Sequence, residues 1–398
     1  MAISIKDNTV YAVEIEDTEG TYKAPTADTS YVQVLSDGAE LTPAKETLER
    51  AIFNGSIGKS TPRTGTRTVS GSLPVEMRAS ATEGEAPEYD ALMRSAMGSR
   101  RQVTSTLADD TDSGTPHTAS RIYFLDADAS KYQVGDIVTV KAAGGYHTSP
   151  VVAVSNVAGD VYIDLLTAAA APFADADEVA PVTTYVTADA GHPSLSISKY
   201  IEQARLEQAT GARVNSMSLE NFTTGQLANW AFGFEGLDWD ASLTAQPHTP
   251  AFDQALPPII LNACVYQDGL RLDVNELSFS LENALGFVTS TCSPNGRISG
   301  RATERNITGS LNPYKQDNDV SQWSRFKNNE EFSIFASAYI PDAANPGQYS
   351  QVVAFYLPNC IITEVAEADQ DLLLQNELSF TAARGGDGSE EELFVSFS

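Results

Sequence analysis

Apolar and polar residues alternate along most of this chain with the two-residue period of a half-buried strand. The stretch TVSGSLPV, Thr68 to Val75, places Val69, Leu73 and Val75 on one face, with Met77 continuing it. NITGSLNP, Asn306 to Pro313, repeats the motif with Ile307 and Leu311 in the same phase. Each strand leads into a short helical pattern. PEYDALMRSAMG opens with Pro87 and the acids Glu88 and Asp90, sets Tyr89, Leu92, Met93, Ala96 and Met97 on one face, and stops at Gly98. In its counterpart, DVSQWSRFK, the expected buried residues are Val320, Trp323 and Phe326. Longer helical periods are almost absent, and the fold class expected is all-β with minor α.

The repeated motif predicts two copies of one unit. Placing Gly71 on Gly309 gives an offset of 309 − 71 = 238, whereas placing Phe232 on Phe380, Trp230 on Leu378 and Val214 on Ile362 gives 148. The difference, 238 − 148 = 90, is a segment between about 101 and 190 that the second copy lacks. Within it, short Val- and Ile-rich runs separated by Gly turns predict a small SH3-like β-barrel. Its expected core is Val134, Ile137, Val138, Val140, Val152, Val154, Val161 and Ile163. The organisation expected is a first sandwich from 1–100 and 190–245 with an N-terminal arm, the inserted barrel at 101–189, a Pro-rich linker at 246–258, and a second sandwich at 259–398.

Composition narrows the function. The 398 residues can bury two or three cores, and 53 acids against 25 bases leave a formal charge of −28, the wrong sign for gripping nucleic-acid phosphates. The three cysteines, Cys264, Cys292 and Cys360, lack CxxC spacing and are expected to be small buried side chains rather than disulfide partners. Neither an export signal nor an apolar run long enough to span a bilayer is present. The four histidines show no metal-binding spacing, and no GxSxG, Walker or GxGxxG motif occurs. The pairs Asp126 with Asp128 and Asp175 with Asp177 do not reproduce an EF-hand loop. No catalytic residue, metal or cofactor is therefore expected. One loop stands out for its bases, Lys59, Arg63 and Arg67, which are expected to meet the acidic surface of a neighbouring subunit.

Taken together, AVEIEDTEGTYKAPT, VSGSLPVEMR, YDALMRSAMG and GARVNSMSLENFTTGQLANWAFGFEG resemble the tail tube proteins of bacteriophages with long, non-contractile tails, in an enlarged form with a duplicated tube domain. That resemblance implies two tail-tube-like β-sandwich domains, each with a short helix, whose inner strands join those of neighbours in a barrel around a channel. Rings would stack into a self-assembled tube of the virion tail, built in the host bacterial cytoplasm without a membrane or cofactor. Single-domain relatives are expected to close rings of six, so a duplicated chain implies a homotrimer with pseudo-sixfold symmetry. The tape-measure protein and double-stranded DNA would pass through the acidic lumen without specific binding. The competing expectation is a β-sandwich adhesin or virion decoration protein. The insert is expected on the outside of the assembly. The N-terminal arm, and the C-terminal strand with Leu393, Val395 and Phe397, are expected either on a neighbour or on their own sandwich.

Overall fold

A computed structural model describes residues 6, 8–53, 55, 57–111, 113–128, 131–142, 145–315, 320–342, 348–370, 372–384 and 391–398. The chain opens with β1 (Thr9–Ile15), β2 (Tyr31–Val32), β3 (Glu40–Leu48) and β4 (Arg63–Glu76), followed by helix α1 (Asp90–Met97) and β5 (Gly98–Val103). Six insert strands come next: β6 (Thr106–Leu107), β7 (Arg121–Tyr123), β8 (Ile137–Ala142), β9 (Gly145–Val157), β10 (Asp160–Leu165) and β11 (Glu178–Val179). The first half resumes with β12 (Val182–Thr187), β13 (Leu195–Ile201), β14 (Arg205–Glu220), β15 (Asn229–Gly236) and β16 (Asp238–Ser242). Beyond a segment without strands lie β17 (Ala263–Gln267), β18 (Leu270–Leu272), β19 (Val274–Thr289) and β20 (Arg297–Pro313). Helix α2 (Ser321–Asn328), β21 (Phe332–Pro341), β22 (Tyr349–Gln370), β23 (Leu373–Ala382) and β24 (Phe394–Phe397) complete the chain.

One antiparallel ladder organises the rest. Its order is β3-β4-β15-β14-β19-β20-β23-β22, eight strands in which the quartet β3-β4-β15-β14 recurs as β19-β20-β23-β22. Register repeats along with order. Gly71 lies between Leu41 and Phe234, and Gly309 lies between Phe279 and Phe380. The counterpart of Phe380 is therefore Phe234, at an offset of 380 − 234 = 146, and not Phe232 as the sequence alignment has it. Val214 and Ile362 do match at 148, since each sits opposite that phenylalanine and just before a bulge. The two offsets differ because the β22–β23 hairpin is two residues shorter than β14–β15.

Behind this ladder lies a second layer, β2-β1-β13-β14-β16 in the first half and β18-β17-β21-β22 in the second, the latter extended by β24, β12 and β5. The alternating apolar residues fill the space between. Val69, Leu73, Val75, Met77, Ile307 and Leu311 are all buried as the pattern predicts, with Trp230, Phe232 and Phe234 among them, in one core continuous through both halves. Helix α1 buries Leu92, Met93, Ala96 and Met97, with Tyr89 buried at its N-cap, and ends at Gly98, whose φ of 91° lies in the region glycine favours.

Helix α2 departs from expectation: Val320, Trp323 and Phe326 are 70, 42 and 38% exposed, and the buried residue is Gln322, paired with the Gln267 amide at 2.7 Å. The cause is what covers each helix. Strands β5 and β12 pack near α1, and Phe397 of β24 meets Tyr89 edge-on, with ring centroids 6.0 Å apart. Among the described residues, α2 packs chiefly on β22 instead.

The insert is a six-stranded sheet, β6-β11-β8-β9-β10-β7, with Val138, Val140, Val161 and Ile163 in its own core and Val154 packed against it. Val134 and Val152 are exposed instead, the strand phase turning Val151 inward. Ile137 points out of the insert and packs on Val186, Phe335, Val352, Ala354, Tyr356 and Phe394, seating the module on the outer layer of the second half. Its neck is the β5–β12 pair, and β12 continues onto β24. Strand β5 straddles the expected boundary near 100, β12 ends just short of the one near 190, and both join the sheet of the second half. The terminal strand β24 lies between β22 and β12 of its own chain, and β1 lies on β13, so both terminal strands pack at home.

The segment at 246–258 is strapped down. Buried Arg78, paired with Glu88 at 2.6 Å, donates to the carbonyls of Asp253 (3.2 Å) and Ala255 (3.1 Å). All three cysteines are free: Cys360 is buried, Cys264 half-buried, and Cys292, against expectation, exposed in the β19–β20 turn.

Close approach fixes the repeated glycines. A Cβ on Gly71 would come 2.2 Å from the Glu40 carbonyl and 2.6 Å from the Phe234 ring; on Gly309 it would meet the Phe380 ring and the Ser278 carbonyl, each at 2.4 Å. Gly71→Ala and Gly309→Ala should each destabilise the chain by about 1–3 kcal/mol, read from urea unfolding midpoints. A loss below a few tenths would show that these contacts give way freely.

Candidate functional site: a polar sheet face and its edges

With the apolar side of the eight-stranded ladder facing the core, the period of two assigns its other side. Going across the strands, that side carries Ser70, Ser72, Pro74 and Glu76; Ala231, Gly233 and Glu235; Ser216, Ser218 and Glu220; Ser278, Ser280 and Glu282; Asn306, Thr308 and Ser310; Glu377, Ser379 and Thr381; and Glu364 and Ala366. None is Lys or Arg. Small hydroxyls form the middle, and Ser218, Ser280, Thr308, Ser310 and Ser379 line a concavity of about 460 Å³ in which the Ser278 and Ser310 hydroxyls meet at 2.8 Å. Of the glutamates named, only Glu235 is in an ion pair among the described residues, with Arg297 at 2.8 Å.

The two quartets meet at a seam. Ser216, Met217, Ser218 and Leu219 of β14 pair with Glu282, Leu281, Ser280 and Phe279 of β19. Asn283, buried beside this ladder, donates its amide to the Ala96 carbonyl at the end of α1 (2.9 Å). The β14–β15 loop then crosses the seam. Its Phe222 carbonyl accepts from Leu277 N–H (3.2 Å), and its buried ring meets Phe355 of the second half edge-on, centroids 5.6 Å apart. Phe222 thereby plugs a groove lined by Val265, Leu272 and Val274, leaving about 180 Å³ open beside it.

At the ends of the ladder the edges are open. Strand β3 pairs only with β4, and residues 361–370 of β22 pair only with β23, among the described residues. Beside β3, the first half has a groove of about 880 Å³ between β1, β2 and the start of β3. Tyr11 lines it, and burial followed by the Glu207 and Glu40 carboxylates pushes its phenol up to about 12, so it stays neutral.

The bases singled out in the sequence lie on the β3–β4 hairpin but do not converge. Arg67 is inside β4 and pairs with Asp238 of its own chain at 2.7 Å, Lys59 reaches Glu49 at 3.5 Å on the surface, and Arg63 is exposed where β4 begins. What the tip does present, and the sequence reading passed over, is apolar: Phe53 and Ile57 are fully exposed and Ile52 half-exposed. Their signal was an Ile-Phe pair and an Ile set among Asn, Gly and Ser.

Potential metal ligands come together at Asp110, His117 and Asp175. Nδ1 of His117 accepts from Tyr123 N–H (3.1 Å), so the ring hydrogen is on Nε2, facing Asp175 at 3.1 Å. A ring so held has no lone pair for an ion. The acids picked out in the sequence stabilise loops: Asp126 accepts from Gly159 N–H, Asp128 pairs with Lys131, and Asp177 accepts from Ala174 N–H.

A duplicated two-layer β shell with one acidic face, open sheet edges and two short helices defines a structural building block. The family model of the phage tail tube protein matches residues 6–382, and the chain belongs to that family. No curated protein matches it. It is thus a structural component of the phage tail, from a family that forms tubes, and no helix of the described residues is long and apolar enough to cross a membrane.

Phe222→Ala tests the seam. Removing this buried ring should cost about 3–5 kcal/mol and bring a separate, earlier unfolding of one half into the denaturation curve. A single transition with an unchanged midpoint would mean that the strand pairings and Asn283 hold the halves together without this ring.

Proposed function

We propose that three copies of this chain close a ring of pseudo-sixfold symmetry, that rings stack into the tail tube, and that the acidic face lines a lumen through which the tape-measure protein and double-stranded DNA pass unbound. In this reading residues 1–100 with 190–245, and 259–398, are two copies of the tube domain, with 101–189 inserted and 246–258 linking them. The observation that carries it is the repeated quartet: β14 already pairs with β19, so β22, the counterpart of β14, has the matching partner in β3 of the next chain. Subtracting 238 from the β19 residues and adding 148 to those of β14 gives the register. Glu364 falls opposite Ala44, Val365 opposite Pro43, Ala366 opposite Thr42 and Glu367 opposite Leu41, with no like charges facing each other.

Size agrees with the purpose. Eight strands from each of three chains make twenty-four, and at about 4.8 Å per strand with a tilt of about 40° the barrel is about 48 Å across its backbone. Six chains would make it about 96 Å by the same arithmetic. The insert, seated on the layer behind the acidic face, falls on the outside, and the β3–β4 hairpin with Lys59, Arg63 and the apolar tip is the part that meets the next ring.

Electron cryomicroscopy of assembled tubes should show three chains per ring, a twenty-four-stranded inner barrel and density for the insert at the outer radius. Six chains per ring, or an insert within the channel, would sink this reading.

Repulsion in the lumen has its own test. Duplex DNA carries about one charge per 1.7 Å, and Ser218→Lys with Ser280→Lys would put six bases on each ring of three chains. Tubes of that variant should retain DNA at 50 mM salt and lose it by a factor on the order of 10³ at 200 mM, while wild-type tubes retain none. Equal retention by both would remove the electrostatic argument.

A further inference from the structure

The seam inside the chain shows how its groove is filled, and the same groove stands open at the outer edge. Register equates the two grooves: Tyr11 corresponds to Val265 and Val32 to Leu272, each pair occupying the same place on β1 and β2 as on β17 and β18. In the second half the β14–β15 loop fills this groove with Phe222, leaving about 180 Å³; in the first half about 880 Å³ is open, lined by Val10, Tyr11, Val32, Val34, Ala39 and Phe252.

The counterpart of the β14–β15 loop is the β22–β23 turn. Its described residues include three consecutive leucines, Leu372, Leu373 and Leu374, exposed to 94, 59 and 56%. Leu219 paired with Trp230 corresponds to Glu367 paired with Asn376, so the eight-residue loop 221–228 is represented here by the six residues 369–374. An exposed apolar tip thus sits at one of the two positions that the internal seam joins, and at the other a groove, open among the described residues, whose apolar floor is rimmed by Lys6, Glu76 and Lys199.

We propose that the Leu372–Leu374 tip of one chain docks into the groove beside β3 of the next chain, as Phe222 does within the chain, and so sets which edges pair. The occupant is a second copy of this protein, and the inference rests on the closed-ring reading. The tip gives the contact specificity that a short backbone ladder lacks, because hydrogen bonds between strands accept any partner in register.

Two experiments on the full chain decide it. In a Cys292→Ser background, Leu373→Cys combined with Ser36→Cys on the groove rim should be joined between chains by a short bis-maleimide in assembled tubes. Denaturing gels should then show two- and three-chain species, and neither single-cysteine variant should give them. Separately, Leu373→Asp with Leu374→Asp should raise the concentration at which rings form by at least about tenfold, the Tm of the unassembled chain staying unchanged. Leu243→Asp, at a residue 91% exposed elsewhere, should leave assembly as it was. Rings that form in normal yield from the double aspartate variant, or that give no cross-link, overturn the docking and leave the ring reading standing. A wild-type chain that forms no rings overturns both.

Discussion

An antiparallel strand at a sheet edge carries unpaired donors and acceptors, and everything in this molecule follows from how those edges are closed. The closure of the main ladder within the chain, β14 on β19, has only four residue pairs, and β12 on β24 joins the outer layers by four more. At about 0.5–1.5 kcal/mol net per hydrogen bond, such a ladder cannot by itself hold two halves of this size in one orientation. Side chains supply the remainder. Phe222 enters the core of the second half, Asn283 ties β19 to the end of α1, and the apolar cluster runs unbroken across the seam. The ladder sets the register and the buried groups hold it.

The composition of the exposed face follows from the same ladder. Small side chains, Ser, Thr, Ala and Gly, occupy the centre of this face. The acids are dispersed. Glu282 lies opposite Ser216 and Asn306, and Glu364 lies opposite Ser379, so no two glutamates oppose each other at these positions. An acidic wall is therefore compatible with a stable sheet, since the cost of like charges on adjacent strands is avoided at each of these pairs.

The strands were legible because both faces of the ladder have a definite character, and the buried positions of β4 and β20 follow directly from alternation. Helix α1 was legible for the same reason, with its stop at Gly98. What failed is what one-dimensional pattern cannot carry. The match of Phe232 with Phe380 missed by two residues because hairpin length is invisible in an alternating sequence. The face of α2 was read as buried because the pattern cannot show that β5, β12 and β24 cover only α1. The role expected for Lys59, Arg63 and Arg67 is a separate matter: all three lie on the β3–β4 hairpin, and Arg67 pairs with Asp238 of its own chain. The leucines of DQDLLLQNE were the stronger signal, three apolar residues in a turn of otherwise polar composition, and their meaning appears only when the two grooves are equated.

A chain with two such quartets makes one edge-to-edge pairing within itself, β14 on β19, and in the proposed ring a second with a partner. The waiting edges have to remain soluble, and each carries a restraint. Pro43 on β3 offers no backbone donor and discourages casual strand addition, while Glu364 and Glu367 put charge on the free part of β22. Apolar exposure includes three clustered places, the Leu372–Leu374 tip, the β3–β4 hairpin tip and the uncovered face of α2, beside scattered single residues such as Leu243 and Leu270. The first-half counterparts of two of these, Phe222 for the leucine tip and Tyr89 with Leu92 for Val320 and Trp323, are buried within the chain. In the proposed ring the internal seam is the pattern for the contact between chains, and two of these three exposed places have counterparts already covered within the chain.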